Sequence, residues 1–152
     1  MSNQRTEAAS ENILIVDDTP ANLRLLSQML TEQGYGVRAV TSGARALASA
    51  RAAPPDLVLL DIKMPGMNGY EVCEHLKADP LTRNIPVIFI SALDEIQDKV
   101  QAFAVGGVDY ITKPFQFKEV LARTETHLSL RKLQKQLSDS NRKMEQELAL
   151  AG

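Results

Sequence analysis

The chain has 152 residues, 44% of them hydrophobic and 24% charged, with a formal net charge of -2. This balance fits one globular domain with an appendage and excludes wholesale disorder. It offers no basic field for nucleic acid or an anionic membrane. The single cysteine, Cys73, excludes an internal disulfide or a Cys-rich zinc site, and no apolar run nears the roughly 20 residues that span a bilayer.

Residues 1–11 are polar, carry no apolar signal core and read as a flexible N-terminus, so a cytoplasmic location is expected. Ile13–Val16 reads as a buried strand that ends in Asp17-Asp18. Thr19-Pro20 supplies an N-cap and a proline at the first helical position; Leu23, Leu26 and Leu30 continue the helix to about Gln33, and Gly34 stops it. Gly36–Val40 is short and β-prone. A second helix starts at Thr41-Ser42-Gly43, carried by Ala44, Leu47 and Ala48, and Pro54-Pro55 forbids its continuation. Leu57–Leu60 is an apolar run that meets Asp61, and a Pro/Gly/Asn-rich loop follows. A third helix begins near Tyr70 with Val72, Cys73 and Leu76 on one face. Val87–Ile90 is the next strand, closing on Ser91. Ile96, Val100 and Phe103 mark a fourth helix, ended by Gly106-Gly107. Asp109–Thr112 is a brief strand closed by Lys113-Pro114, and a last helix starts near Phe117.

Five β-α alternations predict an α/β fold: a parallel sheet with right-handed crossovers, in the flavodoxin-like strand order 2-1-3-4-5. That order brings Asp17, Asp18 and Asp61 to one rim of the sheet. Three crowded carboxylates stay ionised together only beside a cation, and an all-oxygen set favours a hard ion, Mg²⁺ or Mn²⁺. Ser91 and Lys113 close two further strands at the same rim. With a metal they form a cradle for a phosphoryl group, in which a carboxylate can act as nucleophile.

Four segments, Ile13-Leu14-Ile15-Val16-Asp17-Asp18, Leu59-Leu60-Asp61-Ile62-Lys63-Met64-Pro65-Gly66-Met67-Asn68-Gly69, Ile90-Ser91-Ala92 and Asp109-Tyr110-Ile111-Thr112-Lys113-Pro114, resemble the CheY-like receiver domain of two-component response regulators. The resemblance covers residues 12–128. It implies that Asp61 accepts a phosphoryl group from a histidine kinase or phosphotransfer protein. It implies that Asp17, Asp18, Asp61 and the backbone carbonyl of Lys63 organise Mg²⁺. Ser91 and Tyr110 match the family's switch residues, Lys113 its phosphate-binding lysine, and the Lys113–Pro114 bond is often cis. A phosphoryl group on Asp61 is expected to draw the Ser91 loop inward, vacate space for the Tyr110 ring and reshape the surface of the fourth helix, fifth strand and fifth helix. Leu93, two residues after Ser91, has no polar group to orient water, so slow autodephosphorylation is expected. Cys73 reads as core, and His75 and His127 lack metal-ligand spacing.

Residues 129–152 read as a helical extension. Leu130, Leu133, Leu137 and Met144 fit a coiled-coil seam with Ser140 at an intervening position, but Leu148 rather than Glu147 is the next apolar residue, so the register drifts. A homodimer through this helix or the fourth-helix face is expected, with an output domain, such as a diguanylate cyclase or kinase module, absent from the chain through truncation or because this is the receiver of a hybrid kinase. A mixed-charge helix is a poor DNA reader. Three other functions compete with this one. A haloacid-dehalogenase-like phosphohydrolase needs an acid where Lys63 stands. An FMN carrier needs a phosphate loop where Asp17-Asp18 would repel it. A phosphorylation-independent dimerisation module would keep the acids for structure alone.

Overall fold

The computed structural model describes residues 11–151. The expectation of a flexible N-terminus falls, but for Glu11, outside those residues. Five strands, β1 (Asn12–Val16), β2 (Gly36–Val40), β3 (Leu57–Leu60), β4 (Val87–Ser91) and β5 (Asp109–Thr112), alternate with five helices. These are α1 (Pro20–Glu32), α2 (Gly43–Ala52), α3 (Gly69–Ala78), α4 (Ile96–Ala104) and α5 (Phe117–Ala151). All strand pairs are parallel and the sheet order is β2-β1-β3-β4-β5, as the alternation predicts.

The central strands are apolar throughout because both their faces are covered. Leu14, Val16, Val58, Leu60, Val87 and Phe89 face α2, α3 and α4. Ile13, Ile15, Leu57, Leu59, Ile88 and Ile90 face α1 and α5. Alternate side chains of one strand thus serve two cores, as a period of two requires. Gly34, at φ 95°, takes the left-handed conformation that ends α1. Asn68 and Glu71 cap α3 reciprocally, each side chain accepting the other's backbone N–H at 2.9 and 3.0 Å.

Thr19 is the N-cap of α1 with Pro20 opening the helix, as expected, though its side chain makes no cap and its own N–H donates to Asp17 Oδ1 at 2.8 Å. Two local readings are corrected. On α2 the buried face is Ala46 and Ala50, while Ala44 and Ala48 are exposed and Leu47 is half-buried, because only small residues fit where α2 meets α3. On α4, Ile96, Val100 and Phe103 point outward, and Ala102 is its one buried residue. A small side chain lets α4 lie close to the sheet beside Gly107, where a Cβ would stand 2.6 Å from the Phe89 ring and 2.8 Å from the Ala102 carbonyl.

α5 has 35 residues, about 50 Å at 1.5 Å per residue. Val120, Thr124 and Leu128 bury its first turns, and the Arg131 guanidinium donates to the Asn84 carbonyl. From Lys132 to Ala151 every residue is exposed.

Candidate functional site

Strand register builds the site. Val16 lies beside Leu60, and the ladder continues one step further through Asp61 N–H to the Val16 carbonyl at 2.9 Å. Asp17 and Asp61 therefore leave adjacent strands at the same level, at the carboxyl edge where parallel sheets place ligands. One carboxylate oxygen from each of Asp17, Asp18 and Asp61 lies within 4.8 Å of the others. Asp17 and Asp61 are buried and Asp18 is exposed. Lys113, carried in from the end of β5, puts its Nζ 3.0 Å from Asp17 Oδ2 and 3.6 Å from Asp61 Oδ1. The Lys113–Pro114 bond is cis.

The loop after β3 closes back on the site. The Gly69 N–H donates to the Ile62 carbonyl at 2.7 Å, and a Cβ at Gly69 would stand 2.3 Å from the Asp61 carbonyl oxygen. No larger residue fits there without moving Asp61. Lys63 is exposed in this loop.

The electrostatics single out Asp61. Burial pushes its carboxyl up to about 6; Lys113 opposes the shift, while Asp17 and Asp18 add to it, and an Ile62 backbone hydrogen bond opposes it. Three acids and one lysine leave a negative excess in a partly dry cleft, which a hard divalent cation fits. The donors are all oxygens, and their spacing suits one ion.

Ser91 is 1% exposed at the end of β4, paired with Thr112 in β5, and its Oγ accepts the Leu93 N–H at 3.4 Å. The Tyr110 ring is already inside, 7% exposed, with its hydroxyl donating to the Leu93 carbonyl. Burial, with Tyr70 and Asp98, pushes that hydroxyl up to about 12. Thr112 adds a second tether, its hydroxyl donating to Asp94 at 3.2 Å. The loop after Ser91 is thus tied to β5 by two side chains.

Sequence reasoning missed two partners. Asn22, one turn into α1, donates to Asp17 Oδ2 at 3.3 Å, and its position five residues after the acid was the available signal. Asp109, which precedes Tyr110, accepts from Arg123 at 2.9 Å and meets His127 Nε2 at 2.9 Å, while the Tyr110 N–H donates to it at 2.9 Å. Burial pushes the Asp109 carboxyl up, but these hydrogen bonds outweigh it and hold the group below the usual carboxylate range. His127 is therefore half-buried against β5, while His75 is exposed and Cys73 is buried.

A family model described as the response regulator receiver domain matches residues 13–125. Response regulator PleD of Caulobacter vibrioides is 46% identical over 117 residues, covering 77% of this chain and 26% of that protein. The DNA-binding dual master transcriptional regulator RpaA of Synechocystis is 44% identical over 116 residues, covering 76% and 48%. This chain thus spans between a quarter and a half of the length of these relatives. The crystal structure of a CheY-like response regulator receiver domain protein from Methanospirillum hungatei superposes with a TM-score of 0.77 at 28% identity, over 82% of this chain and 98% of that one.

Proposed function

This chain belongs to the receiver-domain family of two-component response regulators, and from that premise we propose that Asp61 is its phosphoacceptor. The observation that carries the reading is the meeting of Asp17, Asp18 and Asp61 within 4.8 Å, with the Lys113 ammonium against two of them. Asp17, Asp18 and Asp61 would hold Mg²⁺ or Mn²⁺, with the Lys63 carbonyl as a further ligand. When bound, the cation supplies positive charge to the phosphoryl oxygens.

The chain's own groups do the rest. Asp61 Oδ attacks the phosphorus of a phosphohistidine on a histidine kinase or phosphotransfer protein, the P–N bond breaks, and the imidazole leaves with the bonding pair. Lys113, held by Asp17, balances the charge that the carboxylate brings, and the Ser91 hydroxyl donates to a phosphoryl oxygen. Ser91 then exchanges its bond with the Leu93 N–H for one to the phosphoryl group. Its loop is drawn inward, carrying with it the Leu93 carbonyl to which the Tyr110 hydroxyl donates. That biases β5, α4 and α5 between two packings. Residues 12–128 form the receiver unit and 129–152 an extension that pairs with a second copy; burial on α5 that stops at Leu128 and Arg131 supports this division.

The phosphohydrolase reading is weaker, because Lys63 stands where its second acid belongs. Incubation with acetyl phosphate and Mg²⁺, followed by intact mass, tests the proposal. One adduct is expected, abolished by Asp61→Asn. No adduct, or one that persists in Asp61→Asn, refutes it.

A further inference from the structure

We propose that Tyr70 is a positioning residue of the switch: its hydroxyl, carried by α3, holds α4 where the Tyr110 ring fits inside. The inference rests on the phosphoacceptor reading above and adds to it a route from Asp61 to α4 that does not pass through Ser91.

α4 has little apolar anchoring of its own. Ala102 is its one buried residue, and Ile96, Val100 and Phe103 point to solvent. An element docked by one small side chain opens easily unless polar contacts hold it. α3 supplies two. The Tyr70 hydroxyl donates to the Asp98 carbonyl at 3.1 Å, in the first turn of α4. The Cys73 thiol, one turn further along α3, donates to the Val105 carbonyl at 3.4 Å, at the C-cap of α4. Tyr70 and Cys73 share one face of α3, which thus grips α4 at both ends. Both donors keep their protons at neutral pH, because burial raises the Tyr70 hydroxyl and pushes the Cys73 thiol up to about 11.

The grip connects the phosphoacceptor with Tyr110. Tyr70 follows Gly69, whose N–H donates to the Ile62 carbonyl at 2.7 Å and whose Cβ, if it had one, would stand 2.3 Å from the Asp61 carbonyl oxygen. At that closeness the Asp61 backbone and the start of α3 move together. On the other side, Phe89 lies in register with both Leu60 and Tyr110. The Tyr70 ring tilts against the Phe89 ring with centroids 5.8 Å apart, and Tyr110 completes the same buried cluster. The Tyr110 hydroxyl donates to the Leu93 carbonyl, in the segment that leads into α4. One tyrosine from α3 and one from β5 therefore hold the same stretch of chain from two sides. With α4 fixed by Tyr70, the Leu93 carbonyl stays within reach of the inward Tyr110. Tyr70 thus favours the packing that a phosphoryl group on Asp61 favours, and by reciprocity it strengthens binding of that group.

Tyr70→Phe in the full chain tests this, because the ring stays and only the hydroxyl goes. The Asp98 carbonyl still accepts from the helix N–H four residues on, so no acceptor is orphaned. In hydrogen exchange followed by mass, the amides of residues 96–105 should exchange about two- to tenfold faster than in the parent, the weight of one net hydrogen bond, while those of β1 and β3 are unchanged. With Mg²⁺ present, beryllofluoride should bind the variant more weakly by up to the same factor, read by thermal-shift titration. A purely structural role would leave that affinity unmoved. Exchange at α4 equal to the parent's, or faster exchange spread evenly over β1 and β3, refutes the tether. Beryllofluoride affinity equal to the parent's refutes the coupling and leaves the phosphoacceptor reading standing. If the parent itself takes up no beryllofluoride, that reading falls and this inference with it.

Discussion

Asp61→Asn should stabilise the metal-free protein at pH 7.5. The carboxyl is buried beside Asp17 and Asp18, and it titrates near 6 in the folded chain against 3.8 when exposed. The folded state therefore holds an extra proton between those values. Its stability falls as pH rises through that window, and the penalty is complete above pH 6. At about 1.4 kcal/mol per unit, less for the part of the field that solvent screens, the ionised group costs about 1–3 kcal/mol. Asparagine keeps the shape and removes the charge. The variant should melt roughly 3–10 °C higher than the parent at pH 7.5 in chelator, and the gap should fall to about a third of that near pH 4.5 and vanish only as pH drops below 3.8, where the carboxyl is protonated folded and unfolded alike. Added Mg²⁺ should raise the parent's melting temperature more than the variant's, because it neutralises the repulsion that the variant lacks. Thermal unfolding in EDTA at the two pH values measures this. A variant less stable than the parent at pH 7.5, or a gap equal at both pH values, would refute the electrostatic account of the cleft.

Asp109→Asn should destabilise by about 1–2 kcal/mol, because it weakens the bonds from Arg123 and His127 while keeping an acceptor for the Tyr110 N–H. Since Asp109 is held below its usual range, its contribution is full above pH 4 and is lost as pH falls through the lower folded value; the acid limb of a denaturation profile should flatten in the variant. Leu93→Glu should speed phosphate loss from the Asp61 adduct severalfold by orienting water, as followed by mass over time, and an equal or slower rate would count against that. Gly69→Ala should cost about 2 kcal/mol or more and impair Mg²⁺ binding, read by denaturant unfolding and metal titration, because its Cβ would meet the Asp61 carbonyl at 2.3 Å.

Much of this molecule follows from short-range pattern. Four residues such as Leu57–Leu60, apolar without alternation and bounded by turns, read as a strand covered on both faces, and three such runs with two shorter strands between helical periods leave few topologies open. The sheet order then puts Asp17, Asp18, Asp61 and Lys113 at one edge, because residues that follow paired strand ends inherit the register of the strands.

What periodicity could not determine is which side of a helix faces the sheet when the burying residues are small. Ala46 and Ala50 outcompete Ala44 and Ala48, and Ala102 turns the larger Ile96, Val100 and Phe103 to solvent, because the inter-helix and helix–sheet distances decide which side chains fit, and a local pattern carries no distance. Nor could it pair Asp109 with His127, or the Tyr110 hydroxyl with the Leu93 carbonyl. Those bonds join residues 17 or 18 apart on different elements. Their geometry exists only once β4, β5 and α5 have docked.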